Sequence, residues 1–171
     1  MKQIAYLPGT GLFILILLVF FNLSCKNTSG LHGEIDHCAQ LFAKNKGRLE
    51  ELLKMIQQDE GLTRVGVDWT RPQNAASVGV SEERLATYRG LFKQSGTLFG
   101  IEVTNNRDVI EFIVNSHGLG TSGYAIGLAY IRDASELNVV GDLKSLPVPP
   151  REAEYFQRLE SNWYIFYDVR R

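Results

Sequence analysis

The sequence predicts an α+β domain in which an antiparallel sheet of four to five strands packs against two main helices and a short C-terminal helix. Three patterns predict it. Apolar residues recur at three- and four-residue spacing over residues 34–59 and again after Ser81. Four later segments, 97–104, 109–115, 123–132 and 163–169, read as extended. Consecutive short strands without helices between them pair antiparallel.

The first helix takes Ile35, Cys38, Leu41, Phe42, Leu49, Leu52, Leu53 and Ile56 as its buried stripe. Gly47 is the expected kink or break, and Gly61 the stop. Residues 62–69 form a first strand. Ser81 with Glu82 and Glu83 opens the second helix, because carboxylates suit a first turn. Its stripe is Leu85, Tyr88, Leu91 and Phe92, and Gly96 ends it. Asn105, Asn106, Arg107 and Asp108 make a hairpin turn by composition.

In the strand after that turn, Ile110, Phe112 and Val114 alternate with Glu111, Ile113 and Asn115. In the next, Tyr124, Ile126, Leu128 and Tyr130 oppose the small residues Ala125, Gly127 and Ala129. The small face is expected to carry a closely packed helix. Residues 133–150 are a loop, since Pro147, Pro149 and Pro150 fit neither a central strand nor a helix interior. Residues 151–160 are expected to be the short helix, with Ala153, Phe156 and Leu159 as its stripe. Residues 163–169 are apolar on both faces and belong in the middle of the sheet.

The N-terminus directs location. Lys2 precedes an unbroken apolar run at 12–21 with no polar face. Such a segment targets or anchors the chain rather than joining a soluble core. Ser24 and Cys25 follow the run. A small residue and then Cys after a short apolar run resembles a bacterial lipoprotein signal, although Asn22 stands where that pattern prefers an aliphatic residue. The resemblance covers residues 1–25 and implies a signal peptide at 1–24, palmitate-type lipidation of Cys25 and a lipidated tether at 25–33. Residues 34–171 are then a single globular domain. The anchored chain would sit on the cell membrane or outer membrane, facing the periplasm or exterior. A conventionally cleaved signal, with Thr28, Ser29 and Gly30 at the cleavage site, and an uncleaved helix are the other readings. Cys38 is expected to be a buried, inert thiol, with a Cys25–Cys38 disulfide as the rival.

The chemistry the sequence excludes is broader than the chemistry it suggests. Eighteen Lys and Arg face 19 Asp and Glu, a formal net charge of −1, so no global positive field holds a nucleic-acid backbone. Gly118, Gly120 and Gly123 make a literal G-x-G-x-x-G, but a strand pattern follows where a nucleotide-binding turn needs a helix. No nucleotide, other cofactor or metal is expected. His32, Glu34, Asp36, His37 and Cys38 cluster without a spacing that converges on zinc. His117 is the one His placed on a strand, and no G-x-S-x-G elbow accompanies it.

No catalytic residue is assigned. Asp68, Trp69, Tyr88, His117 and Tyr124 are the candidate ligand or partner contacts. The favoured role is a non-catalytic envelope domain that binds another protein, such as an immunity factor, inhibitor or accessory subunit. A small-ligand-binding domain and a small enzyme using His117 are the alternatives.

One prediction belongs to the signal. Cys25→Ser abolishes incorporation of labelled palmitate and moves the chain from the membrane fraction to the soluble or precursor pool. Absence of label in the wild type refutes lipidation.

Overall fold

The computed structural model describes residues 26–104, 107–118, 122–147 and 150–170. Cys25, the apolar run before it, Asn105, Asn106 and Gly120 lie outside the described residues. No described helix is long and apolar enough to cross a membrane.

Two helices, α1 (Lys26–Gln58) and α2 (Glu82–Ser95), lie on one face of an eight-stranded sheet. The strands are β1 (Arg64–Gly66), β2 (Thr70–Arg71), β3 (Gly100–Thr104), β4 (Val109–His117), β5 (Gly123–Ile131), β6 (Val139–Val140), β7 (Ala153–Glu160) and β8 (Trp163–Arg170). Their order is β2-β1-β3-β4-β5-β8-β7-β6, antiparallel except for the β6–β7 pair. The α+β class stands, with more strands than the expected four to five. Two of the additions, β2 and β6, are two residues each and too short to leave a period in sequence.

The third addition corrects the short C-terminal helix. Residues 153–160 are strand β7, not a helix. Ala153, Phe156 and Leu159 have helical spacing, but a two-residue turn at Ser161 and Asn162 folds the segment back onto β8. Tyr155 then pairs with Tyr167 on the helix side, and Phe156 with Phe166 on the other. Burying both faces beside an apolar strand outweighs local propensity.

α1 begins at Lys26, so the expected tether at 26–33 is helical. Its kink is at Asn45 (φ −121°, ψ 15°), two residues before Gly47. There the Asn45 amide donates to the Leu41 carbonyl at 3.2 Å, and Arg48 donates to the Asn45 side-chain oxygen at 2.8 Å. A side chain bonding the preceding turn locally explains a bend that glycine does not. At the far end Arg107 donates to the carbonyls of Ile56 and Glu60, a cation against the negative end of the helix. α2 starts as expected, with Ser81 Oγ accepting from Arg84 N at 3.2 Å.

The helices pack on the large-residue face. Trp163 lies between Phe42 of α1, Phe112 of β4 and Tyr130 of β5, with ring centroids 5.3–5.6 Å apart. The helix expected over Ala125, Gly127 and Ala129 is therefore on the opposite side. The large side chains offer more apolar area to bury, which favours that placement. The small stripe admits close approach within the sheet instead. A Cβ on Gly127 would stand 2.1 Å from the Phe112 carbonyl oxygen and 2.9 Å from the Phe166 ring.

The second face holds its own cluster of Val109, Ile113, Ile131, Phe156, Tyr164 and Phe166. Beside it Glu111 is 8% exposed, and its carboxyl hydrogen-bonds that of Glu154. Glu111 is on β4 and Glu154 on β7, three strands apart. Their rows are also four residues apart along the strands, Ala129 for Glu111 and Ala125 for Glu154 on β5. At about 4.8 Å per strand and about 3.4 Å per residue a flat sheet would separate them by about 20 Å, so the sheet twists and curls toward this face. Burial pushes the Glu111 carboxyl well above the usual range. The bond to Glu154 and the charges of Glu154, Glu102 and Asp168 act in the same direction. Burial raises Glu154 as well, against the pull of the bond from Glu111. Glu111 thus keeps its proton and donates it to Glu154. Arg64 pairs with Glu102 at 3.1 Å and Arg170 with Asp168 at 2.7 Å, flanking the pair.

A carboxyl raised on folding makes the folded chain bind more protons than the unfolded one above about pH 4.5. Stability therefore falls as pH rises from there through the raised value. Melting temperature should climb as pH is lowered from 8 toward 5. Glu111→Gln, which keeps a donor for Glu154, should melt a few degrees higher than wild type at pH 8 and flatten the slope. A slope unchanged by the substitution would place the titrating group elsewhere.

Candidate functional site

Two neighbouring features meet at residues 97–99, the segment that leads into β3. The first is a corner built around Trp69. The Gly66 amide donates to the Trp69 carbonyl at 2.9 Å, closing a tight turn with Val67 and Asp68 at its tip. The indole folds back over the cross-strand pair Gly66 and Gly100. A Cβ on Gly66 would stand 2.2 Å from the ring, and one on Gly100 2.6 Å. These positions need glycine because the ring occupies the side-chain space.

Arg64 stacks over the indole, its guanidinium carbon 5.2 Å from the ring centroid. Phe99 lies beside it, with ring centroids 6.3 Å apart. Val67 and Phe99 are 45% and 46% exposed, and Trp69 is half-buried. A groove of about 410 Å³ runs from this corner to α2, lined by Asp68, Trp69, Thr70, Gln73, Glu82 and Arg89 among others. Nε of Arg64 and Nε of Arg89 are buried without a hydrogen-bond partner among the described residues.

The second feature is the head of α1 against β4 and β5. A β-bulge falls at Val114, where the register passes from Ile113↔Gly127 to Asn115↔Ile126. One extra residue reverses the faces of everything after it. Asn115 and His117 therefore point to the helix side, where strict alternation would have sent them away. Glu34 Oε1 accepts from Asn115 Nδ2 at 2.6 Å and from the Tyr124 hydroxyl at 3.0 Å. Burial and the Glu34 carboxylate push the Tyr124 hydroxyl up to about 12. His37 and Thr97 are hydrogen-bonded at 3.2 Å.

The sequence candidates fall in three places. Asp68 and Trp69 sit together at the corner. Tyr124 and His117 sit together at the head of α1, their ring centroids 6.2 Å apart. Tyr88 is fully buried, and its hydroxyl donates to Asp59 Oδ2 at 2.8 Å, the oxygen that also accepts from Arg84. Burial and Asp59 push that hydroxyl far up, so it acts as a pin between α1 and α2. His117 is exposed, and its ring makes no hydrogen bond among the described residues. Cys38 is a free, buried thiol pushed up to about 12 by burial and then by Glu34, which makes it a poor nucleophile.

Sequence reasoning missed Glu34 and Asn115 as a pair, Phe99 as the neighbour of Trp69, and Glu111 with Glu154. The bulge hides the first, and long-range pairing hides the others. Among the described residues no group of three His, Cys, Asp or Glu is placed to hold a metal ion. Comparison of the chain with protein-family models, with curated proteins and with solved structures finds no match.

The glycine cradle is open to a direct check. Gly66→Ala should displace the indole, because the clash is with the ring, and should cost about 1–3 kcal/mol of stability by overpacking. Tryptophan emission should shift to the red as Trp69 gains water. An unshifted spectrum with wild-type stability would mean that the ring does not rest on Gly66.

Proposed function

We propose that the chain is an exported, lipid-anchored domain that binds another envelope protein through the Trp69 corner. The observation that supports this is the grouping of Val67, Trp69 and Phe99 at the surface around a turn. Exposed aromatic residues in a fixed geometry are the usual anchors of protein interfaces. The stack with Arg64 and the glycine floor hold the indole in place before a partner arrives, so less ordering is lost on binding. Arg89, which lines the groove beside Trp69, favours a partner segment with a carboxylate near an apolar side chain.

Lipid on Cys25 is the proposed tether. A lipid anchor confines the domain to a surface and raises the effective concentration of partners on the same membrane.

A photo-crosslinking residue placed at Val67 or Phe99 in cells should give one discrete adduct with an envelope protein. The same residue at exposed Lys44 on α1 should not. Trp69→Ala should remove the adduct at temperatures well below its own melting transition, so that the loss is not a loss of fold. Identical adduct patterns from 67, 99 and 44 would reject the corner as the interface.

A further inference from the structure

We propose that the cavity at the head of α1 binds a small organic cation, an ammonium group on a short branched apolar body. This site is separate from the Trp69 corner and does not rest on the partner reading. The cavity is about 340 Å³, at the small end for ligand pockets. Gly30 and Gly33 of α1 form one wall, Val114 and Ile126 the apolar floor, and Glu34 and Asn115 the polar side.

Three observations converge on it. The first is the bulge at Val114, which turns Asn115 toward the helix and fixes Glu34. Bulges that re-aim side chains concentrate beside functional sites. The second is the pair of helical glycines. Each costs about 1 kcal/mol relative to Ala in a helix interior, and a Cβ at either would meet nothing within 4 Å. Packing against the sheet does not require them, and they leave the cavity open. Gly47 and Gly90 are equally uncrowded, so what distinguishes Gly30 and Gly33 is that both face this cavity.

The third observation selects the ligand's charge. Glu34 is held by two donors on a single oxygen, Oε1. Its Oε2 has no hydrogen-bond partner among the described residues and is left to accept from a ligand. No Lys or Arg is among the described residues that line the cavity, and the one basic side chain there, His37, is hydrogen-bonded to Thr97 at 3.2 Å. The nearby Lys144 is engaged by Asp36 at 2.5 Å. An ammonium group reaching Oε2 gains a charge-assisted bond, and its apolar body covers Val114 and Ile126. A carboxylate in the same place would meet the Glu34 carboxylate, with no Lys or Arg among the described lining residues to offset it.

The test uses the full-length chain in a zwitterionic micelle, with labelled Val and Ile methyl groups followed by NMR. The probe is isobutylammonium, with isobutyrate and isobutanol as matched controls. Isobutylammonium should shift the Val114 and Ile126 methyls saturably at millimolar concentration, and both controls should bind at least about tenfold more weakly. Gly33→Leu fills the cavity from a position with free space and should abolish the shifts with melting temperature held or raised. Glu34→Gln keeps an acceptor for Asn115 and Tyr124 and should weaken the ammonium at least about tenfold. Absence of a saturable shift, equal response to the three probes, or a response that survives Gly33→Leu would each overturn the proposal.

Discussion

The close approach of Phe112 and Phe166 across Gly127 fixes the centre of this molecule. With no side chain at that position, a carbonyl and an aromatic ring occupy the space a Cβ would need. β5 can then sit between β4 and β8 while the sheet curls toward its small-residue face. The curl brings Glu111 of β4 to Glu154 of β7 across two intervening strands. It also leaves the opposite face, rich in Tyr, Ile, Leu and Trp, for α1 and α2. The two clusters of buried apolar residues are therefore the two sides of one strand arrangement.

A buried carboxyl pair is an expensive way to close a sheet. Two charges there would be desolvated and would repel, so one proton stays between them. What the pair provides is position. Its hydrogen bond is satisfied in one curl of the sheet, and a register slip would leave a carboxyl buried without a partner. The flanking ion pairs Arg64–Glu102 and Arg170–Asp168 continue this polar line across the same face. Arg64 also stacks on Trp69, which links the polar line to the aromatic corner.

The corner and the cavity are both built where regular structure is interrupted. A turn with a glycine floor exposes Trp69, and a bulge re-aims Asn115 toward Glu34. The segment 97–99 lies between them, with Thr97 on the cavity and Phe99 beside the indole. Occupation of one feature and coverage of the other therefore bear on the same short stretch of chain. The corner is a tight turn closed by the Gly66–Trp69 hydrogen bond, and the cavity is walled by α1, β4 and β5, which keeps their polar groups in fixed directions.

The sequence by itself determined the α+β class, the two helices with their buried stripes, the Ser81 cap and five of the strands. Each is set by neighbours within a few residues, and local spacing reports such patterns. It also placed residues 163–169 in the middle of the sheet, because an apolar strand on both faces has nowhere else to go. Only the tertiary structure decided the rest. Residues 153–160 form a strand because β8 is there to pair with, although their spacing suits a helix. The small stripe of β5 admits a ring and a carbonyl rather than a helix. The bulge at Val114 moves Asn115 and His117 to the other face without any Gly or Pro to announce it. Glu111 looks like a solvated alternate in its strand and becomes the least expected buried acid, because its partner lies 43 residues away in sequence and three strands away in the sheet. Contacts of that range carry no period, so they are fixed by packing alone.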